Sequence, residues 1–525
     1  MLRRPVKFQH ATTVKYWLPI VVCISLLFIF STGLRKSKSI FSGNTATILS
    51  QSIDFLSPYP SCVAKVRSTL NKAIKLNQKF RAIAEFVTEE IALREAARLD
   101  QIPVNSRGRL HCAIIAVKDN IETSTSRWGL STAAGSAPLK ELLSRVSMES
   151  APTIARLEKE GVIILGKANM DDFALQYHSF STRAGQTLNC HDPDRFPGGS
   201  SGGSAVAVST QMVDFALGTD TGGSIRIPSS FGGIVGLRPA INRISTRGVI
   251  PLSKSRDTIG PICANVQTCK LAFEVMMGGE NNKSKAITSF CVVSAVQSSF
   301  KVGIIRDLFT EDSWFDLKDA IQVLQSKFDA RIIQDGVPES MARNKLMKQT
   351  KSASMYEFER DVEAYLVSRL TKMDDFKDLE MITSETKEKC NELNQPAACD
   401  QVVESLEKKL KTAGTIPNSV VGLWRSTREE VLEFMQRENL DAIAFPAFTA
   451  LPTRIKLGKK QEFCPNNRLA AITGLASLVV HGGKSMKMAH LPVGLELLGP
   501  DECVLLAIGE KFEKDFGRNG ACAVS

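Results

Sequence analysis

Several motifs that mark well-known protein sites are missing from this chain of 525 residues. None of its twelve cysteines forms a C-x-x-C pair, which argues against a structural zinc site. Cysteine is also too sparse for a disulfide scaffold. Cys390 and Cys399 bracket a short loop and could pair in an oxidising compartment. The alternative is that the cysteines are free, mostly buried thiols.

A long basic run is missing as well, although the formal net charge is +11. Lysine and arginine are interleaved with aspartate and glutamate along the chain. The excess positive charge therefore predicts a solvated basic surface rather than a nucleic-acid groove, and we expect no nucleic-acid partner. A weak attraction to anionic lipid stays open.

The N-terminal residues 17–30 form an apolar run that reaches eighteen residues when extended to Leu34. This length is at the lower limit for crossing a bilayer, which needs about 17–25 residues. Positive charges on both sides leave the orientation open. The first interpretation is an uncleaved anchor, which places the protein at an endomembrane or the cell surface. The alternatives are a buried segment and a signal peptide cleaved at Ser31-Thr32-Gly33, which predicts secretion.

Beyond this segment, apolar strand patterns alternate with helical patterns. Residues 110–120 and 301–309 are typical of buried strands, residues 151–161 of a helix with a glycine stop, and residues 338–438 of a helical region. Such alternation predicts an α/β layered fold, and 43% hydrophobic residues supply a large core. The predicted organisation is an anchor or signal segment at residues 1–34, a polar tether at 35–65, and one large domain at 66–525.

Two serines in glycine-rich surroundings, Ser200 and Ser224, stand within one short span, residues 195–226. Glycine neighbours expose the hydroxyl and leave backbone N–H groups free for an anion, so this pattern indicates an acyl-transfer site. A serine hydroxyl needs a neighbouring base. The chain has only six histidines, and the nearest in sequence, His191, lies in a turn-like stretch. A Ser-His-Asp triad is not excluded, but nothing in the pattern points to one.

Lys118 is the alternative base, because it is the only charged residue in the apolar run of residues 112–118. Burial disfavours an ammonium group, so we expect the pKa of Lys118 to fall toward the working range. A neutral lysine can accept a proton. An ion pair with Asp119 or another carboxylate is the competing interpretation.

Longer motifs around these residues resemble the amidase signature family of serine hydrolases. They are AVKDNI at residues 116–121, GGSSGGSA at 198–205 and GTDTGGSIRIPSSFGGIVGLRP at 218–239. The resemblance extends over about residues 80–515, and it implies a single α/β/α layered domain with a central mixed sheet. It also implies a small-molecule amide as substrate and neither a metal nor an organic cofactor. The sequence leaves the quaternary state open, with a homodimer as one candidate.

The resemblance further implies a Ser-Ser-Lys triad in which Ser224 is the nucleophile, Ser200, preceded by a cis peptide, relays the proton, and Lys118 is the base. The implied oxyanion hole consists of the backbone N–H groups of Thr221, Gly222, Gly223 and Ser224. Three further positions match supporting residues of the family, with simple loop structure as the alternative: Ser201, Asp220 and Arg226.

The chain departs from the family pattern before its lysine strand, where the usual LHGIP is replaced by LHCAI at residues 110–114. The region of about residues 280–440 matches weakly, so the identity of the substrate stays open. Three functions compete: an amide hydrolase, a glutamine-hydrolysing subunit of an amidotransferase complex, and a non-catalytic binding protein on an amidase-like fold.

Overall fold

The structure, a computed structural model, describes residues 53–278, 291, 299–348, 353–370, 378–393, 396–412, 414–457, 464–517 and 522. Thirteen strands lie within these residues: β1 (Ile83–Phe86), β2 (Ile114–Lys118), β3 (Ile163–Ala168), β4 (Phe180–Ser181), β5 (Gly185–Gln186), β6 (Phe215–Asp220), β7 (Val235–Arg238), β8 (Thr258–Cys263), β9 (Lys301–Ile305), β10 (Asp329–Ile333), β11 (Ala442–Pro446), β12 (Ala476–Lys484) and β13 (Pro492–Gly499).

The same described residues contain seventeen α-helices: α1 (Cys62–Phe80), α2 (Glu89–Asp100), α3 (Thr125–Trp128), α4 (Ala137–Leu143), α5 (Pro152–Lys159), α6 (Gly202–Ser209), α7 (Arg226–Gly232), α8 (Val266–Met277), α9 (Glu311–Asp316), α10 (Lys318–Lys327), α11 (Arg343–Lys348), α12 (Ser354–Leu370), α13 (Leu379–Glu392), α14 (Pro396–Leu410), α15 (Asn418–Arg437), α16 (Asn467–Thr473) and α17 (Glu502–Phe516). The predicted alternation of strand and helix, and the predicted helical region, are both confirmed.

An eleven-stranded mixed sheet has the order β1-β3-β2-β6-β8-β7-β12-β13-β11-β9-β10. The neighbours β3, β2 and β6 are mutually parallel, whereas β6 pairs antiparallel with β8. Helices cover the sheet, and the predicted α/β fold with a central mixed sheet is confirmed. Because β2 and β6 are parallel neighbours, their carboxyl ends meet at one edge, which brings Lys118 and Asp220 to the same place.

The strand β2 is buried along its whole length. Its residues Ile114, Ile115, Ala116 and Val117 are apolar, as expected for a strand with both faces covered. Lys118 is the exception in this strand, and it comes at the end that leads into the site. The sequence therefore combines a continuous apolar strand with one buried amine.

A second apolar core lies under α12, α13 and α14. Its members include Phe173, which contacts the Phe358 ring edge-on at a centroid distance of 5.7 Å. The loop residue Leu252 belongs to the same cluster. This packing holds the helical region against the loops that follow the central strands.

The folded unit spans Ile53–Ser525 and so begins earlier than the predicted domain boundary at residue 66. Phe55 is buried, and Ser61 caps α1 by accepting the N–H of Ala64. The buried Lys65 ammonium binds Asp214 at 2.5 Å and the carbonyl of Phe55 at 2.6 Å. These contacts tie residues 53–65 to the sheet, although their polar composition predicted a tether.

The predicted membrane segment, residues 17–34, lies outside the described residues. In the part of the chain that is described, no helix is both long and apolar enough to cross a membrane. The two longest, α1 and α15, have 19 and 20 residues and carry several charged side chains. The predicted membrane-associated localisation is wrong by this finding.

Eight cysteines are joined in pairs: Cys62 with Cys112, Cys190 with Cys522, Cys291 with Cys503 and Cys390 with Cys399. The remaining cysteines of the described residues are buried thiols: Cys263, Cys269 and Cys464. The predicted Cys390–Cys399 pair is therefore present, and the alternative of free thiols holds only for these three cysteines. No sequence pattern indicates the long-range pairs, because their partners are 50, 332 and 212 residues apart and meet only in the fold.

The Cys62–Cys112 pair also explains a departure from the family pattern. Cys112 stands where the resembling family has glycine, and its φ of 62° lies in the left-handed region that favours glycine. A cysteine in this conformation is strained. The bridge to α1 holds Cys112 in place just before the start of β2, the strand that carries Lys118.

Peptide mapping tests this pairing. In protein purified without reductant, unfolded and then alkylated, Cys62 and Cys112 should stay unlabelled and form one cross-linked peptide, whereas Cys263 and Cys269 should be alkylated. Replacing Cys62 by alanine should lower the free energy of unfolding by about 2–5 kcal/mol, because the unfolded chain gains freedom. Alkylation of Cys62 and Cys112 before reduction would contradict the pairing.

Candidate active site

Lys118 and Ser200 meet at the carboxyl edge of the sheet. The Lys118 side chain has 0% of its surface exposed. Its ammonium nitrogen Nζ lies 2.8 Å from Ser200 Oγ and 2.9 Å from Thr219 Oγ1. The carbonyl of Thr219 lies 3.3 Å away. The strands β2 and β6 supply Lys118 and Thr219, and the loop before α6 supplies Ser200.

Burial determines the protonation of Lys118. Desolvation lowers its pKa to about 7, while the more distant carboxylates of Asp171, Asp220 and Asp257 act in the opposite direction. The competing interpretation, an ion pair with Asp119, is not adopted. The Asp119 carboxylate instead binds Arg183 at 2.5 Å and accepts the N–H of Gly135 at 2.9 Å. Lys118 is therefore available as a neutral amine near pH 7.

The peptide bond between Gly199 and Ser200 is cis, as the resemblance implied. A side chain at Gly199 would collide with the carboxylate of Asp171, because a Cβ there would lie 2.4 Å from Asp171 Oδ2. Burial raises the pKa of Asp171 to about 7, although hydrogen bonds from the backbone N–H groups of Ser179, Phe180 and His178 act to lower it. The close approach of this carboxylate explains why glycine stands before Ser200.

Ser224 ends the glycine loop that follows β6. Its carbonyl accepts the backbone N–H of Ser201 at 3.1 Å, which connects this loop to the loop of Ser200. Ser201 also donates its hydroxyl to the carbonyl of Thr219 at 3.2 Å. The predicted supporting residue Ser201 therefore contacts the backbone of Thr219, the residue whose carbonyl and hydroxyl also face Lys118.

The carboxylate of Asp220 fixes the glycine loop through hydrogen bonds to its backbone. Asp220 Oδ1 accepts the N–H of Gly223 at 2.8 Å, and Oδ2 accepts the N–H of Ile225 at 3.1 Å. Gly223 has a φ of 123°, which a residue with a side chain rarely adopts. Thr221 donates its hydroxyl to Asp257 at 2.5 Å. The loop geometry thus depends on two buried carboxylates.

Two buried arginines neutralise Asp220. Arg226 contacts it through Nε at 3.1 Å and Nη2 at 3.2 Å, and Arg238 contacts it at 2.8 Å. Burial alone would raise the pKa of Asp220, but the two guanidinium charges outweigh it and hold that pKa well below its usual range. Arg226 also binds Glu496 at 2.9 Å and the carbonyl of Asn467 at 2.9 Å. The predicted bracing by Asp220 and Arg226 agrees with these contacts.

Several residues of the site were not predicted from the sequence. Thr219 contacts the lysine, Asp257 accepts the hydroxyl of Thr221 in the glycine loop, and the carboxylate of Asp171 lies close to Gly199. Tyr177 also lies near the loop, with its hydroxyl 3.5 Å from the position of a Cβ on Gly222. The two adjacent carboxylates of Asp171 and Asp172, which follow a strand, were a sequence signal that could have indicated the site. No sequence pattern indicated Tyr177.

His191, the histidine nearest to Ser200 in the sequence, lies beside the end of α7. Its Nε2 lies 3.1 Å from the carbonyl of Gly232, at the end of α7. The turn-like context predicted for this stretch agrees with that position. The side chain that the structure places against the Ser200 hydroxyl is that of Lys118, at 2.8 Å.

A family model described as Amidase matches residues 64–502, which is most of the chain. The chain therefore belongs to the amidase family, and the predicted resemblance is confirmed.

Curated relatives share this region. One subunit of the glutamyl-tRNA(Gln) amidotransferase from Lactiplantibacillus plantarum is 39% identical over 287 residues, covering 53% of this chain and 58% of that protein. The protein of the same name from Lachnospira eligens is 37% identical over 238 residues, covering 42% and 48%. The matched part thus spans about half the length of these relatives.

Solved structures with the same fold include peptide amidase from Stenotrophomonas maltophilia. Its TM-score is 0.72 at 23% identity, over 88% of this chain and 96% of that chain. An amidase family protein from Bacillus anthracis gives 0.70 at 24% identity, over 88% and 89%. At these identities the likeness establishes the fold.

The buried arginine network leads to a stability prediction. Arg226→Met should leave Glu496 and part of Asp220 without a counter-charge, and breaking such a buried pair costs about 3–5 kcal/mol. Urea unfolding followed by circular dichroism should show this loss. Lys389→Met removes an exposed pair with Glu392 and should change stability by less than about 1 kcal/mol. Equal effects of the two variants would contradict the assigned importance of the network.

Proposed function

We propose that this member of the amidase family hydrolyses a small-molecule amide, with Ser224 as nucleophile, Ser200 as proton relay and Lys118 as base. The observation that carries the proposal is the 2.8 Å contact between Lys118 Nζ and Ser200 Oγ, made by a lysine with no exposed surface. The family's enzymes are carbon–nitrogen hydrolases that act on amides.

In the proposed reaction, neutral Lys118 takes the hydroxyl proton of Ser200 while Ser200 takes that of Ser224. The Ser224 oxygen attacks the amide carbonyl and forms a tetrahedral intermediate. The proton returns through Ser200 to the leaving nitrogen as the carbon–nitrogen bond breaks, leaving an acyl-enzyme and an amine or ammonia. Water then attacks the acyl carbon by the same proton path, which releases the carboxylic acid and restores Ser224.

The oxyanion is assigned to the glycine loop, as the resemblance implied. The N–H of Gly223 already donates to Asp220 at 2.8 Å, so we assign the oxyanion mainly to the N–H groups of Thr221, Gly222 and Ser224. Losing one such donor typically raises the barrier by about 2.7–4 kcal/mol. In this proposal Asp220 acts as a positioning residue, because its bond to Gly223 sets the direction of the neighbouring amides.

A second candidate function is a glutamine-hydrolysing subunit of an amidotransferase complex. The relatives that are 37% and 39% identical favour it, since both are named as one subunit of glutamyl-tRNA(Gln) amidotransferase. It predicts that glutamine is the preferred amide and that activity depends on partner subunits. Hydrolysis of simple amides by the isolated chain, as a monomer or the predicted homodimer, would exclude it. A non-catalytic binding protein would react with no serine-directed reagent.

Active-site labelling tests the nucleophile. A fluorophosphonate probe should label the wild-type protein, and Ser224→Ala should abolish the labelling and the hydrolysis of amides together. Ser204→Ala is the matched control, because Ser204 lies in the same glycine-rich stretch and donates its hydroxyl to the carbonyl of Leu217 at 2.9 Å; it should still be labelled. Undiminished labelling of Ser224→Ala would overturn the assignment.

The pH dependence tests the base. Because the pKa of Lys118 is lowered to about 7, the amine is protonated below that pH and neutral above it. The value of kcat/KM should therefore rise with pH through about 7 and then level off.

Lys118→Arg keeps a cation that cannot deprotonate in this range. It should reduce kcat/KM by a factor of about 100 or more at every pH. A variant that retains both the activity and the rising limb near pH 7 would show that another group is the base.

A further inference from the structure

Tyr177 lies between the two serine loops of the site. Its backbone packs on Gly199, the residue before Ser200, because a Cβ on Gly199 would lie 2.7 Å from the carbonyl carbon of Tyr177. Its hydroxyl lies 3.5 Å from the position of a Cβ on Gly222, in the loop that ends at Ser224. One residue therefore extends from the loop of the proposed relay to the loop of the proposed nucleophile.

The space beside Gly222 is open except for this hydroxyl. Apart from the neighbours of Gly222 in the chain, the Tyr177 oxygen is the only heavy atom of the described residues within 4 Å of the position of a Cβ there. At Gly223, by contrast, a Cβ would meet the side chains of Ile227 and Asn467 at 2.9 and 3.1 Å. The phenol thus borders an opening at the loop to which the oxyanion is assigned.

The two ends of the Tyr177 side chain have different surroundings. The side chain packs against an apolar cluster that consists of Ile227, Phe231, Phe448 and Cys464. Its hydroxyl, however, forms no hydrogen bond with any residue that the structure describes. Burial raises the pKa of Tyr177, so the phenol keeps its proton at neutral pH and can donate a hydrogen bond. A phenol that is held by apolar packing and carries an unused donor is suited to contact a ligand.

The glycine loop itself has one donor fewer than its length suggests. The backbone N–H of Gly223 donates to Asp220 at 2.8 Å, which leaves the amides of Thr221, Gly222 and Ser224 for an oxyanion. Side-chain donors take part in oxyanion holes alongside backbone amides. A hydroxyl beside Gly222 can therefore replace the amide that Asp220 occupies.

We propose that Tyr177 is a further catalytic residue, whose hydroxyl donates a hydrogen bond to the oxyanion that forms on the substrate carbonyl. This inference rests on the proposed amide hydrolysis. The proton stays on the phenol throughout, so the bonds made and broken at the carbonyl, and the proton path from Ser224 to the leaving nitrogen, are unchanged. The hydrogen bond strengthens as negative charge develops on the oxygen. It therefore lowers the barrier without tightening the binding of the amide.

Tyr177→Phe tests the donor, because it keeps the ring and removes the hydroxyl. With valeramide as substrate, kcat should fall about 100-fold or more, which is the usual cost of losing one oxyanion donor, while KM should change less than about 2-fold. Tyr59→Phe is the matched control. Tyr59 shares a hydrogen bond with Ser68 at 3.4 Å near the start of the folded unit, and its loss should leave kcat unchanged. A Tyr177→Phe variant with the kcat of the wild type would overturn the proposal.

A transition-state analogue separates charge stabilisation from a structural role. The ketone in which a trifluoromethyl group replaces the NH2 of valeramide adds to Ser224 and then carries a negative oxygen. Its Ki should rise in Tyr177→Phe by about the factor by which kcat/KM falls. The Kd of valeramide for Ser224→Ala should be the same with and without Tyr177→Phe. A Kd that weakens as much as the Ki would mean that Tyr177 shapes the pocket, and the catalytic role would be wrong.

The rate of fluorophosphonate labelling keeps this outcome distinct from that of the proposed function. Attack on phosphorus also builds negative charge on an oxygen, so Tyr177→Phe should be labelled about 10-fold more slowly, or slower still, than the wild type and Tyr59→Phe. If the wild type is labelled but hydrolyses no amide, the proposed hydrolysis fails and this ratio of rates decides the role of Tyr177, with equal rates overturning it. If the wild type neither hydrolyses an amide nor reacts with the probe, both proposals are overturned.

Discussion

The burial of one amine, that of Lys118, is the constraint on which the rest of the site depends. Because this lysine has no exposed surface, burial destabilises its protonated form. This desolvation lowers its pKa to about 7. The groups in direct contact with it are hydroxyls and a carbonyl, from Ser200 and Thr219. These contacts suit a neutral amine as well as an ammonium, so the site tolerates both protonation states that proton transfer requires.

The neighbouring carboxylate of Asp220, unlike the amine of Lys118, keeps its charge when buried. Asp220 is equally buried, but Arg226 and Arg238 bind it directly and keep it ionised. A permanently charged carboxylate can hold the glycine loop in one geometry, because its hydrogen bonds to Gly223 and Ile225 do not vary with pH. One buried charge is thus left to titrate while another, one strand away, is fixed. The group that titrates, Lys118, suits a general base, and the fixed charge of Asp220 suits a residue that holds the glycine loop in place.

Much of this arrangement could be predicted from the sequence, and the remainder could not. The apolar run before Lys118 and the two glycine-rich serine loops are local patterns, and they predicted the strand, the loops and the residues of the site. Tyr177 and Asn467 come from distant segments of the sequence and approach the glycine loop only in the fold. The pair Cys190–Cys522 spans 332 residues, a separation at which no sequence spacing indicates a partner. The membrane-associated localisation was predicted from residues 17–34, which lie outside the described residues, and no helix of the described part of the chain can cross a membrane.

The central claim is that Lys118 is neutral at the pH where the enzyme works, and its pKa can be measured directly. In protein labelled with 13C at the lysine ε carbons, the resonance that disappears in Lys118→Met belongs to this residue, and its shift can be followed with pH by NMR. We predict a midpoint near the value of about 7 that burial imposes. A midpoint near 10.4, the value of an exposed lysine, would mean that Lys118 is charged at neutral pH and would contradict its role as the base.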